Sequence, residues 1–123
     1  MSSDAIPLIE QAVTRFLDEV PALKPMKLVV AVAFRARGDV QMFRVELPGP
    51  VVTKDPAPDA KVRVEMQRSF FNEMAKDAKV ADWREAFTYG QAKATGPTQI
   101  LQLIERVVDK HEERSRQRRA RQH

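Results

Sequence analysis

Residues 27–37, KLVVAVAFRAR, constrain the fold more than any other stretch of the chain. They read as a β-strand, in which successive side chains point to opposite faces. One face carries Leu28, Val30, Val32 and Phe34, and the other carries Val29, Ala31 and Ala33. Because both faces are apolar, the pattern predicts a central strand that is covered on both sides, at least in part.

The stretch after this strand predicts a hairpin and further short strands. RGDV (37–40) is typical of a tight turn, with Gly38 and Asp39 as the residues that tolerate positive φ. Residues 40–47 form the return strand, and 51–53 form a short third strand. Residues 61–66 alternate between apolar and charged side chains, which predicts one solvated sheet face at that position.

Helical periodicity appears in four segments: 4–20, 68–78, 82–90 and 97–114. Gly90 is placed to cap the third helix, and a last strand, 91–95, precedes the fourth. A chain of 123 residues supports one domain. Antiparallel strands followed mainly by helices predict an α+β domain with its helices gathered on one face of the sheet.

The residues that carry catalytic or metal chemistry are scarce. The chain has no cysteine, which excludes disulfides and thiolate sites and fits a cytoplasmic protein. Its two histidines are His111, expected as a solvated residue near a helix end, and His123 at the C-terminus. No serine lies in a nucleophile elbow and no group of side chains has metal-ligand spacing. We therefore expect no catalytic residue, metal or cofactor.

Positive charge is concentrated at the C-terminus. Residues 112–123 hold five Arg and two Glu, whereas the whole chain has a net charge of only +4. The sequence thus divides into a nearly neutral domain, 1–111, and a basic tail, 112–123. If the last helix continues, Arg114, Arg118 and Arg121 share a face that could make transient contact with anionic membranes. The alternative is a solvated terminus with no partner; nucleic-acid binding is not indicated, because the basic residues do not cluster with aromatics on the body.

The last strand has unusually small side chains on its inner face, which would carry only Ala92 and Ala94. Large aromatic and methionine side chains crowd the preceding segment, 70–89. Two arrangements fit this contrast. Either the large residues interdigitate with the alanines in an ordinary core, or the helices stand away from the sheet and enclose an apolar pocket.

The same region resembles the sterol carrier protein type 2 domain family. The resemblance lies in AFTYGQAKATG (86–96), with its Ala86–Phe87 pair, Gly90, Lys93 and Gly96, followed by a closing helix rich in Ile and Leu over 100–108. Upstream, DAKVRVEMQRSFFNEMAKD (59–77) is similar to the family's strand and short helix. The resemblance extends in layout over residues 5–110.

This resemblance implies a five-stranded mixed, largely antiparallel sheet covered on one face by helices. Between them would lie an apolar cavity for a sterol, fatty acid or acyl chain, with no cofactor and no catalytic residue. The family also includes accessory modules. The alternative is therefore an accessory or oligomerisation module that keeps the fold with a collapsed or unused cavity. Under either interpretation the protein could be a monomer or a homodimer.

The candidate lining residues are the large apolar side chains of the strands and helices that would face this cavity, and each of them is also a plausible ordinary core residue. They are Phe34, Phe43, Met66, Phe70, Phe71, Met74, Trp83, Phe87, Leu103, Ile104 and Val107.

Overall fold

The computed structural model describes the backbone of residues 5–121 and the side chains of residues 5–118. Within this range the chain forms four α-helices: α1 (Ala5–Glu19), α2 (Arg68–Asp77), α3 (Val80–Thr88) and α4 (Thr98–Arg121). Its strands are β1 (Leu28–Ala36), β2 (Asp39–Leu47), β3 (Val51–Thr53), β4 (Val62–Gln67) and β5 (Ala92–Thr95). A short 3-10 turn, Pro21–Leu23, follows α1.

The strands form a single five-stranded sheet in the order β3-β2-β1-β4-β5. β1 and β4 run parallel, and the other neighbouring pairs are antiparallel. The predicted α+β class and the mixed, largely antiparallel sheet are confirmed. β1 is the central strand, as its two apolar faces indicated.

Helices α1, α2 and α3 cover one side of the sheet, which we call the inner face. Its apolar residues follow from the strand register. They are Leu28, Val30, Val32 and Phe34 of β1, Phe43, Val45 and Leu47 of β2, Val52 of β3, Val62, Val64 and Met66 of β4, and Ala92 and Ala94 of β5.

The opposite face of β1 is closed by long side chains on neighbouring strands. Ala31 is buried there and lies in register with Arg44 of β2 and Arg63 of β4. The Arg44 guanidinium also binds Asp59, with an Nη2–Oδ2 distance of 2.8 Å. This hydrogen bond lowers the pKa of the Asp59 carboxyl and ties the 54–60 loop to the sheet. Residues of the same loop lie beside Ala31 around a small pocket, namely Pro56, Ala57 and Ala60.

The hairpin between β1 and β2 differs from the prediction in one detail. Arg37 and Gly38 adopt positive φ, at 45° and 79°, rather than Gly38 and Asp39. Asp39 instead begins β2, and its Oδ1 accepts a hydrogen bond from the Val40 amide. Since both central turn residues have positive φ, the connection has the twist that a two-residue hairpin requires.

Helix α4 is longer than the sequence predicted, because it continues past residue 114 to Arg121. It runs without a break through position 112, so the division into a domain and a tail stays a prediction. The continuation places Arg114, Arg118 and Arg121 on one helix face. Arg114 and Arg118 are exposed, whereas the side chain of Arg121 lies outside the described residues.

His111 was predicted to be solvated near the end of a helix, and this is wrong. This residue lies well inside α4 rather than near a helix end, and its side chain is mostly covered. His111 Nε2 lies 3.7 Å from Oε2 of Glu19, at the end of α1. At this point α4 packs against the end of α1, which places the histidine beside Glu19. None of the helices formed by residues 5–121 is both long and apolar enough to cross a membrane.

Candidate functional site

The inner face of the sheet has a closed half, where β1 and β4 approach α2 and α3. Phe34 is fully buried, and Met66 and Ala92 beside it are nearly so. Phe71 of α2 stacks on Phe34 with ring centroids 4.5 Å apart, and Trp83 of α3 lies 6.4 Å from Phe71. These contacts are typical of a packed aromatic core.

The other half of the inner face is incompletely covered, and we call it the open half. It comprises Val30, Val64 and Ala94. Val30 and Val64 are only half-buried, and Ala94 is exposed although it lies on the same face of β5 as buried Ala92. Val64 and Ala94 are direct cross-strand partners. Val30 and Val64 still pack against the main core, so Ala94 is the exposed position of this part of the inner face and the two valines are its partly covered ones.

Helix α4 packs at the end of α1, against a cluster that it shares with one residue of the inner face. Ile104 and Val107 pack against a second cluster of buried residues at the end of α1, and Leu47 of the inner face packs against the same cluster. One turn earlier in α4, Ile100 and Leu101 are half-buried, and Leu103 is 46% exposed. The first half of α4 thus carries apolar side chains that are not fully used in packing.

Polar contacts hold α4 at its middle rather than at its start. The Arg84 guanidinium of α3 lies 2.7 Å from Oδ1 of Asp109 and 2.6 Å from Oε1 of Glu112. The hydrogen bond to Glu112 raises the pKa of Arg84. Among the described residues, the first turns of α4 take part in no such ion pair, and they begin just after Gly96.

Gly96 fixes the start of α4 because no other residue fits there. Its φ is +155°, and a Cβ at this position would lie 2.7 Å from the carbonyl oxygen of Lys61. The close approach of this backbone to β4 directs the chain out of β5 and into α4. The sequence resemblance singled out this glycine, and the structure supplies its physical reason.

The predicted lining residues occupy three settings. Phe34, Phe43, Met66, Phe71 and Trp83 are buried in the main core, with Phe70 and Met74 packed at its edge. Ile104 and Val107 pack against the second cluster. Phe87 and Leu103 are exposed, at 38% and 46%.

Val30, Val64 and Ala94 were not among the predicted lining residues, although Val64 and Ala94 were predicted to face inward and Val30 to lie on an apolar face of the central strand. The sequence did not show how far the helices cover each of these positions on the sheet. Alternation shows which face a residue occupies, but it does not show whether a helix lies above that face.

Two surface pockets lie elsewhere. The larger, of about 620 Å³, is formed by the β1–β2 turn and the start of α2. The smaller, of about 240 Å³, lies between the 56–60 loop and the ends of β4 and β5. No aromatic side chain lines either pocket, so the cavity predicted between the sheet and α2–α3 stays a prediction. No group of three His, Cys, Asp or Glu side chains within the described range could hold a metal ion.

Comparison with known proteins identifies the fold. No family model matches the chain. No curated protein matches it in sequence. Among solved structures, sterol carrier protein domain 2 of Helicoverpa armigera aligns with a TM-score of 0.59 at 11% identity, covering 90% of this chain and 92% of that one. Palmitated SCP2L2 of Aedes aegypti aligns at 0.56 and 16% identity, covering 88% and 95%.

A third solved structure carries the same fold as a small part of a larger enzyme. The sec-alkyl sulfatase PisA1 aligns with a TM-score of 0.52 at 16% identity, over 87% of this chain and 16% of that one. The chain therefore has the sterol carrier protein type 2 fold. The resemblance seen in the sequence is confirmed at the level of the fold.

Proposed function

We propose that this protein binds a hydrophobic ligand non-covalently, in the open half of the inner face beside α4, and releases it unchanged. The observation that supports this most directly is the solvent-exposed position of Ala94 beside half-buried Val64. Removing apolar surface from water contributes about 25 cal/mol of favourable free energy per square ångström. A sterol, fatty acid or acyl chain covering this strip would recover that free energy.

The predicted lining residues fit this arrangement in two groups. Leu103 and Phe87, being exposed, would lie at the entrance, and Ile104 and Val107 would form the wall on α4. The aromatic core around Phe34 would form the closed end, which a ligand reaches only if α2 or α3 moves away from the sheet. In this proposal the open half admits the ligand, and the closed half limits its depth.

The chemistry of the inner face supports an apolar ligand. The described residues include no buried polar or charged side chain, so nothing there would bind a charged group in the interior. The similar fold of the palmitated mosquito protein supports an acyl chain in particular. Burying about sixteen carbons would contribute roughly 12 kcal/mol relative to water. A membrane offers nearly the same gain, which suits reversible exchange.

A titration of protein stripped of lipid tests this proposal. Palmitic acid is expected to bind saturably, measured by calorimetry and by the emission of Trp83, the only tryptophan, which lies one turn before Phe87. Each methylene removed from the ligand should weaken binding by up to about fourfold, because it removes about 0.8 kcal/mol of burial. Added salt should change the affinity little, since the contact is apolar.

The alternative is an accessory or oligomerisation module, and the sulfatase that carries this fold as a small part of its chain gives it a specific precedent. Tyr89 and Val51, both strongly exposed, offer apolar contact points for a larger assembly. Absence of heat and of any fluorescence change with fatty acids, acyl thioesters and sterols would favour this alternative. A non-catalytic, cytoplasmic role is part of the main proposal and rests on the composition.

We also propose that the basic end of α4 holds the protein at anionic membranes. Arg114 and Arg118 are exposed on one helix face, and each contacting residue would add about 1 kcal/mol at an anionic surface. Removing residues 114–123 is expected to abolish sedimentation with phosphatidylglycerol vesicles and to leave palmitic acid binding intact. Sedimentation that persists in the truncated protein, or that does not fall with added salt, would contradict this role.

A further inference from the structure

The larger pocket lies at the opposite end of β1 from the open half. It is formed by the β1–β2 turn, the end of β4 and the first turn of α2, and has a volume of about 620 Å³. Its lining residues are Arg35, Ala36, Arg37, Gly38, Asp39, Val40, Gln67, Arg68, Ser69 and Asn72. Three of these are arginines and one is an aspartate, so the lining carries a net positive charge.

The three guanidinium groups differ in how much of their charge is already paired. Arg35 forms an ion pair with Glu65, with an Nη2–Oε2 distance of 3.1 Å. Arg68 donates hydrogen bonds to two neutral acceptors, through Nη1 to Gln41 at 2.8 Å and through Nε to Asn72 at 3.1 Å, and its guanidinium lies 5.9 Å from the centroid of the Phe34 ring. These bonds orient the Arg68 guanidinium without neutralising its charge.

Arg37 is exposed at the turn and forms no ion pair within residues 5–118. Arg37 is one of the two central residues of the hairpin turn, with a φ of 45°, and it lines the pocket from that position. Asp39 is the one carboxylate of the lining, and its Oδ1 already accepts a hydrogen bond from the Val40 amide. Arg37 and Arg68 thus leave two positive charges at the pocket without carboxylate partners in the described chain.

The start of α2 adds to this field. Its N-cap, Gln67, makes no capping hydrogen bond through its side chain, and the first turn contains no acidic residue. Amide groups at a helix start that lack side-chain caps favour a negative group, by hydrogen bonding and through the helix dipole. Here they lie beside Ser69, whose hydroxyl is a further donor lining the pocket.

Because Arg37 and Arg68 both line this pocket without carboxylate partners among the described residues, we infer that it binds a phosphate monoester. Guanidinium groups bond phosphate oxygens in charge-assisted pairs, and a doubly charged, three-oxygen group can engage both arginines at once. The remaining volume is bordered by Ala36 and by exposed Val40, which would contact an apolar portion attached to the phosphate. This inference does not depend on the lipid site, because the two regions share no residue.

The phosphate could belong to a soluble molecule or to a lipid headgroup, and two arms of one experiment separate them. In the first, inorganic phosphate is titrated into the full chain at constant ionic strength while the backbone amides are followed by NMR. The Gly38 and Ser69 amide signals are expected to shift saturably. Arg37→Asn should weaken binding about tenfold, the loss expected for one charge-assisted hydrogen bond. Asparagine tolerates the positive φ of this turn.

Arg63→Gln is the matched control. Arg63 is exposed, lies outside the pocket, and forms an ion pair at 2.7 Å with Glu65, the carboxylate that also pairs with Arg35. The substitution removes one positive charge there. Phosphate binding should change by less than about twofold in this variant, because exposed charges outside the pocket are screened. Equal weakening in both variants would show only a general charge effect and would overturn the inference.

In the second arm, the same proteins are mixed with phosphatidylcholine vesicles containing phosphatidic acid, a monoester, or phosphatidylglycerol, a diester. Binding to phosphatidic acid that Arg37→Asn reduces and Arg63→Gln does not would assign a lipid headgroup. Binding of inorganic phosphate without this vesicle effect would assign a soluble monoester. If Arg37→Asn changes neither phosphate binding nor vesicle binding, the inference is wrong.

Discussion

Replacing Phe34 by alanine is expected to lower the free energy of unfolding by about 3–5 kcal/mol. Phe34 is fully buried at the centre of the inner face. It stacks on Phe71 with centroids 4.5 Å apart, and Phe43 lies 5.6 Å away. Truncation would remove both aromatic contacts and leave a cavity that the central strand cannot close. Urea denaturation followed by circular dichroism measures the loss.

Phe87→Ala provides the control, since Phe87 is 38% exposed on α3. The same aromatic truncation should cost less than about 1 kcal/mol there, because much of the ring is already in water. A cost below about 1 kcal/mol for Phe34→Ala would show that the aromatic cluster surrounds empty space. The cavity predicted from the sequence would then lie in the closed half of the sheet.

The second large effect separates two alanines of β5 that lie on the same sheet face. Ala92 is buried and pairs with Met66, whereas Ala94 is exposed and pairs with Val64. Ala92→Phe is expected to destabilise the protein by about 1–3 kcal/mol or more, since it would overpack a filled core. Ala94→Phe should change stability by less than about 0.5 kcal/mol, because its side chain enters open space.

The same denaturation experiment compares the two variants. Similar, large losses in both would mean that the open half is closed in solution and that Ala94 belongs to the core. Similar, negligible losses would mean that the closed half also has room for a phenyl ring. The structure predicts a clear difference between two identical substitutions on one short strand.

Local sequence pattern was enough to predict nearly every element of this fold. The alternation in residues 27–37 and 61–66, and the helical spacing in 4–20, depend only on neighbours along the chain. The end of α4 was missed because the residues after 114 are charged and have no apolar period. Within the predicted part of this helix, ion pairs from Arg84 to Asp109 and Glu112 join α4 to α3, and no local pattern contains them.

The candidate site was predicted less completely, for a related reason. Large residues such as Phe34 and Phe71 were chosen as lining, yet in the structure they pack on one another. Val64 and Met66 look equivalent in the sequence, and only the position of the helices leaves one half-covered and the other buried. The contrast between Ala92 and Ala94 likewise depends on which part of β5 the helix α3 covers.

The central claim is that the open half of the inner face holds the ligand, and lipid occupancy of the Ala94→Phe variant tests it most directly. Both this variant and the unchanged protein are stripped of lipid, incubated with palmitic acid and examined by native mass spectrometry. The account predicts one bound fatty acid in the unchanged protein and none, or a small fraction, in the folded variant. Equal occupancy of the two proteins would contradict it, since the ligand would then lie elsewhere.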